Sequence, residues 1–198
     1  MRWGALASLV VAALAIMGTP GPATISLTAA GSAHGVRRSV PYLAGIVAGT
    51  TLVLLAVATG VTAALLAVPA VRPVLLVASA AYILWLAYHI ATAPPLSVED
   101  TARRAPGLAG GVVLGVANPK AWVAIAAVFA SGHLAGGAAA DGVGKVAVLT
   151  VMIVLINSTW LAAGASLAHW LGRPVHARVA NVALAVVLVI AAAFALYP

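Results

Sequence analysis

Two tripeptides carry the residues of this chain best suited to chemistry: Pro20-Gly21-Pro22 and Asn118-Pro119-Lys120, each inside an apolar stretch long enough to cross a bilayer. A proline within a helix removes a backbone hydrogen bond and clashes with the preceding turn, at a cost of roughly 3 kcal/mol in a soluble helix. In hydrocarbon the freed carbonyls need other partners, so such breaks survive only where protein or a polar cavity surrounds them. Pro20 and Pro22 free the carbonyls of Ile16 and Gly18, while a half-helix starting near Ala23 presents unpaired N–H groups beside them. Opposite partial charges lying close together suit a zwitterion.

The second break adds a charge. Lys120 is read as the only Lys or Arg well inside an apolar segment, and an isolated lysine at a helix centre costs roughly 2.5 to 3.5 kcal/mol on insertion scales. Two readings of it stand: pairing with the carbonyls of a broken helix or snorkelling to an interface, and holding a substrate carboxylate together with a half-helix N-terminus. The second is the sharper expectation. Asn118 both donates and accepts, so it can meet either pole of an amino acid. The expected substrate-binding set is therefore Pro20, Gly21, Pro22, Thr24, Asn118, Pro119 and Lys120.

Other polar or small residues inside the apolar runs have milder readings. Gly45 and Gly49 form a GxxxG that lets helices approach closely. Thr50 lines the path or bonds its own helix, and Asn157, in the polar cluster with Ser158 and Thr159, serves as interhelical glue or pathway lining. His34, His89 and His133 are read as interfacial, and no spacing among them makes a metal site. No cofactor is expected.

These residues need a frame that composition defines. Of 198 residues, 64% are hydrophobic and 7% charged, with a mean hydropathy of +1.16, too little polar surface for a soluble domain. Spans of about 20 residues give six segments: 3–33 and 108–131, each interrupted by a break, and 41–68, 74–93, 146–171 and 179–197. The expected fold is an all-α integral membrane protein in one domain, with half-repeats 1–93 and 107–198 joined by a polar cytoplasmic loop over 94–106. Arg2 ahead of the apolar run has the outline of a secretory leader, but Pro20 to Pro22 makes a poor cleavage site, so the run is expected to remain.

Placing Pro20 on Pro119 also places Ser32 on Ser131 and His34 on His133. Three segments per half would set the halves inverted in the membrane, an arrangement in which interrupted helices at matching positions mark the binding site. Arg2, Arg72 and Lys145 fall on one side and Arg37, Arg38, Arg103, Arg104, Arg173 and Arg178 on the other. By the positive-inside rule both termini lie outside a plasma membrane. The formal charge of +7 is thus spent on topology rather than nucleic acid, since no continuous basic face follows a phosphate backbone.

The Pro-Gly-Pro of the first segment, the basic pair Arg37-Arg38, Gly45 and Gly49, the string 82–86 (Tyr-Ile-Leu-Trp-Leu) and Asn118-Pro119-Lys120-Ala121 together resemble the LysE/RhtB-type amino-acid exporter family. The resemblance implies six-helix subunits that export amino acids or close derivatives from the cytoplasm, driven by the proton-motive force. Two departures stand out. Thr50 sits where the family often has an aspartate, and segment six shows Val182, Ala183 and Ala185 where glycines are common. With no carboxylate read inside any segment, proton coupling would need a histidine, Lys120 or the substrate itself. The expected function is export of a small amino acid across the lipid bilayer, with protons as a compatible coupling ion and self-association left open. The alternatives are a passive channel or structural subunit, then divalent-cation transport, for which hard oxygen ligands are lacking. An enzyme is not expected, because no nucleophile, base and orienting residue occur at recognisable spacing.

Overall fold

The computed structural model describes residues 3–60, 106–131 and 133–170, with scattered helical positions between 77 and 92 and between 178 and 190. Five helices are defined: α1 (Trp3–Met17), α2 (Pro22–Ala58), α3 (Leu108–Ala117), α4 (Pro119–Ala130) and α5 (Ala138–Trp170). No strand occurs among the described residues. Most of the expected segments 74–93 and 179–197, and the polar loop over 94–105, lie outside the described residues. Among the described residues two helices, α2 and α5, are long and apolar enough to cross a membrane, or up to three spans if the bent pair α3–α4 counts as one.

Helix α2 is not straight. A straight run of 37 residues would be about 55 Å long and overshoot the roughly 30 Å hydrocarbon core. Gly35 interrupts it with φ 73° and ψ 169°, a conformation open essentially only to glycine. The Ser26 and Tyr42 hydroxyls then meet at 2.6 Å, and Ser39 Oγ donates to the Ala30 carbonyl at 3.1 Å. Residues 26 and 42 would stand about 24 Å apart along a continuous helix. The two arms, 22–34 and 36–58, therefore fold back on one another. The sequence reading placed a loop between segments ending at 33 and starting at 41; the chain turns at one glycine instead, and Pro41 is carried inside the second arm.

Packing relies on small residues, as it must where lipid is as apolar as the core and gives helices no hydrophobic reason to associate. Gly45 and Gly49 on the second arm of α2 face Gly111 and Gly115 on α3. A Cβ added at Gly111 would lie 2.8 Å from Ile46 N, and one at Gly115 would lie 2.8 Å from the Ile46 carbonyl oxygen. A second crossing sets the first arm against α5. There a Cβ at Gly31 would lie 3.0 Å from Ala165 N, and one at Gly164 would lie 2.6 Å from Thr28 Cα. Around these crossings sit two buried clusters, one with Ile25, Leu27, Ile46, Leu114 and Leu161, the other with Leu9, Ala13, Val53, Ile125, Leu149 and Ile153. Large apolar side chains also point outward, among them Val11, Leu52, Val123, Val151 and Leu155. A helical surface apolar on both its inner and outer faces is one matched to lipid.

Helix α5 begins earlier than the sequence suggested, and this corrects the charge inventory. Segment five was read from residue 146, leaving Asp141 and Lys145 in a loop, yet both lie inside α5 and are buried. Asp141 accepts from the backbone N–H groups of Leu134 and Ala135 and lies 3.0 Å from Lys145 Nζ, which also donates to the Phe129 carbonyl at 2.8 Å. A buried ion pair costs desolvation unless its remaining lone pairs and protons are satisfied. Here backbone groups satisfy them. The pair thereby ties the 131–137 connection to the start of α5.

Candidate functional site

The first break runs from Gly18 to Gly21 between α1 and α2, and four of its orphan carbonyls can be followed one by one. Thr19 Oγ1 donates to the Ile16 carbonyl at 2.9 Å, and the Trp160 indole on α5 donates to the Gly18 carbonyl at 3.2 Å. These are the two carbonyls that Pro20 and Pro22 leave without helical partners. The next two, Thr19 and Pro20, both accept from Lys120 Nζ, the Pro20 contact at 3.3 Å. Past the break, Thr24 Oγ1 accepts from Gly21 N at 2.8 Å and donates to the Gly21 carbonyl at 3.1 Å, closing the first turn of α2. Ile25 is the first amide to find a backbone carbonyl, that of Gly21 at 2.9 Å.

The second break is a single residue. Asn118 has an extended backbone (φ −74°, ψ 104°) between α3 and α4, which meet there at a 60° bend. Its Oδ1 accepts from the Lys120 backbone N–H at 3.2 Å, an N-cap that replaces the bond Lys120 would have made to Val116. The Val116 carbonyl accepts from the Trp122 indole at 2.7 Å instead. Each break thus has one orphan carbonyl closed by a tryptophan, and indole N–H is a donor with no acceptor role. The sequence reading assigned a role to neither Trp122 nor Trp160. The usable signal was their position inside apolar segments rather than at the ends, where belt tryptophans sit.

Lys120 joins the two breaks, its backbone held by Asn118 and its ammonium laid across the carbonyls of the other break. Gly21 makes this passage open, since a Cβ there would lie 2.5 Å from Lys120 Cδ. Between the breaks is a cavity of about 40 Å³ whose lining includes Gly21, Thr24, Thr50, Asn118, Lys120 and Asn157. Liquid water takes about 30 Å³ per molecule, so the cavity suits a few waters at most and is far below the roughly 300 Å³ of a ligand pocket. Pro20, Pro22 and Pro119 shape the breaks without lining the cavity, and Gly45 and Gly49 lie at the α2–α3 crossing.

A second, wider cavity of about 620 Å³ lies between α1 and the end of α4, bounded by Gly4, Ser8, Leu9, Ser131 and His133. Its residues share the side of the molecule that holds the Asp141–Lys145 pair, because His133 Nδ1 lies 3.4 Å from Asp141. Leu9, Ala13, Ile125 and Val128, all buried, belong to the apolar cluster in this region.

Comparison with known proteins follows the same frame. The chain is similar to the cysteine/O-acetylserine efflux protein of Salmonella choleraesuis (strain SC-B67), with 43% identity over 89 residues, and to that of Escherichia coli (strain K12), with 40% over 89 residues. Each alignment covers 44% of this chain and 44% of the relative. No solved structure matches. The family model described as LysE type translocator matches residues 14–198, a stretch that takes in both breaks, the α2 reversal and all of α5. On that match the chain belongs to the LysE type translocator family, membrane transport proteins rather than enzymes.

Proposed function

We propose that this protein exports a small zwitterionic amino acid from the cytoplasm across the cell membrane, binding it between the two breaks. The observation that carries the reading is Lys120. A cation on one broken helix reaches the unwound carbonyls of the other beside a cavity that both breaks line, in a chain whose surface is otherwise matched to lipid. The substrate carboxylate takes the Lys120 ammonium, with the N-terminal N–H groups of α2 and α4 adding partial positive charge from both sides. Because the cavity is too small for an amino acid, binding requires the breaks to part, and alternating access consists of parting them toward one side and then the other. The wider cavity beside Ser131 and His133 serves as the outer vestibule, with both termini on that side and six helices arranged as inverted threes.

The two relatives are named for efflux of cysteine and O-acetylserine, both small and neutral overall, and this class also suits the cavity's own groups. An ammonium, an amide and hydroxyls make a poor cage for a divalent cation, which needs several hard oxygen ligands free of a competing positive charge. The test is reconstitution of the full chain into vesicles loaded with a mixture of amino acids. Efflux of small neutral members faster than from protein-free vesicles, with saturation, supports the exporter. Leakage of all solutes without saturation favours a passive channel, and no efflux sinks the proposal.

A further inference from the structure

Asn157 is the one residue of the cavity with a buried polar atom left unanswered. It is 6% exposed, its Nδ2 donates to the Ile153 carbonyl at 2.8 Å, and its Oδ1 has no hydrogen-bond partner among the described residues. The orientation of the amide is fixed by chemistry, because a carbonyl only accepts and so must face the NH₂ group. Buried acceptors are nearly always paired, and a buried orphan needs an explanation. Helix glue, the milder reading of Asn157 from sequence, would pair this oxygen with a neighbouring helix, and among the described residues none meets it.

Four carbonyls of the first break, which could also meet a substrate ammonium, already accept hydrogen bonds within the protein. At the first break the Ile16, Gly18, Thr19 and Pro20 carbonyls hold Thr19, Trp160 and Lys120. An acceptor with no partner among the described residues is the better candidate for the ammonium. Asn157 is well placed for it. Trp160 lies three residues further along α5, on the same helix face, and is fixed to Gly18 of the first break. Asn157 and Lys120 line one cavity, so an acceptor and a cation border the same space, which must widen to admit an amino acid.

We propose that Asn157 Oδ1 is the specificity-determining acceptor for the substrate's α-ammonium, in the cavity it shares with the carboxylate site at Lys120. This rests on the exporter reading. A neutral acceptor suits a zwitterion: it recognises the ammonium by a hydrogen bond without adding net negative charge to the cavity.

The test uses the full chain in vesicles and measures how well L-cysteine and mercaptopropionate, its counterpart without the amino group, compete for efflux of labelled cysteine. Wild type should discriminate strongly. Asn157→Leu, similar in size but without an acceptor, should weaken cysteine binding roughly 10- to 100-fold, toward the level of mercaptopropionate, and leave mercaptopropionate itself little changed. Asn157→Asp, which keeps the acceptor, should restore discrimination. Efflux by wild type with full discrimination retained in Asn157→Leu overturns the assignment while the exporter stands. Absence of amino-acid efflux by wild type overturns both.

Discussion

At the scale of single residues, Lys120 has two loads, one structural and one functional, and substitutions separate them. Its ammonium satisfies two unwound carbonyls, so Lys120→Ala leaves them unpaired and should lower stability by about 1 to 3 kcal/mol. Thermal unfolding in detergent measures that cost. Trp160→Phe removes only the indole donor to Gly18, and about 1 to 2 kcal/mol of destabilisation is expected, with substrate preference unchanged. A shift of preference in Trp160→Phe would place the indole in the binding site rather than in the support of the break. Much at this scale was legible in the sequence. Proline identifies which carbonyls are freed, whereas Asn118, read from sequence as a substrate contact, is found as the N-cap of α4. What answers each carbonyl was not legible, because Thr19, Trp160 and Lys120 come from three parts of the chain.

At the scale of elements, two glycine devices set the geometry, and they fail differently. Gly35 has open space where a Cβ would go, so Gly35→Ala tests backbone conformation alone. Its positive φ should cost about 1 to 3 kcal/mol. Gly111 has no such space, since a Cβ meets Ile46 N and Gly45 Cα, both backbone atoms that cannot step aside. Gly111→Val should therefore wedge α3 from α2 and destabilise by about 1 to 3 kcal/mol through overpacking. Unfolding midpoints compare the two, and loss of the α2–α3 crossing should appear as faster proteolysis in Gly111→Val only. The sequence showed Gly45 and Gly49 as a GxxxG but not their partners, because in a chain this rich in alanine and glycine the spacing at Gly111 and Gly115 stands out from nothing. The reversal at Gly35 was hidden for a related reason. Helix-forming residues flank it on both sides, and only the glycine itself permits the turn.

At the scale of the whole molecule, the proposed exporter works through two facing breaks. The absence of native cysteine makes sidedness directly measurable. Cysteine placed at His133, which is exposed, should react with an impermeant reagent added outside intact cells, and cysteine at Arg37 should react only after the membrane is opened. The reverse pattern would invert the proposed orientation. Length and hydropathy made the membrane class plain, yet they misplaced the start of α5 by several residues, since Asp141 and Lys145 cancel one another and enter the helix as a satisfied pair.

The most direct measurement of the central claim compares cysteine with cysteamine, which lacks the carboxylate, as competitors for efflux in vesicles carrying wild type or Lys120→Gln. If the Lys120 ammonium holds the carboxylate, wild type should prefer cysteine by about 10-fold or more, and Lys120→Gln should lose most of that preference whatever its stability. Equal preference for cysteine in both proteins would contradict the account and leave Lys120 as a clasp on the broken helix alone.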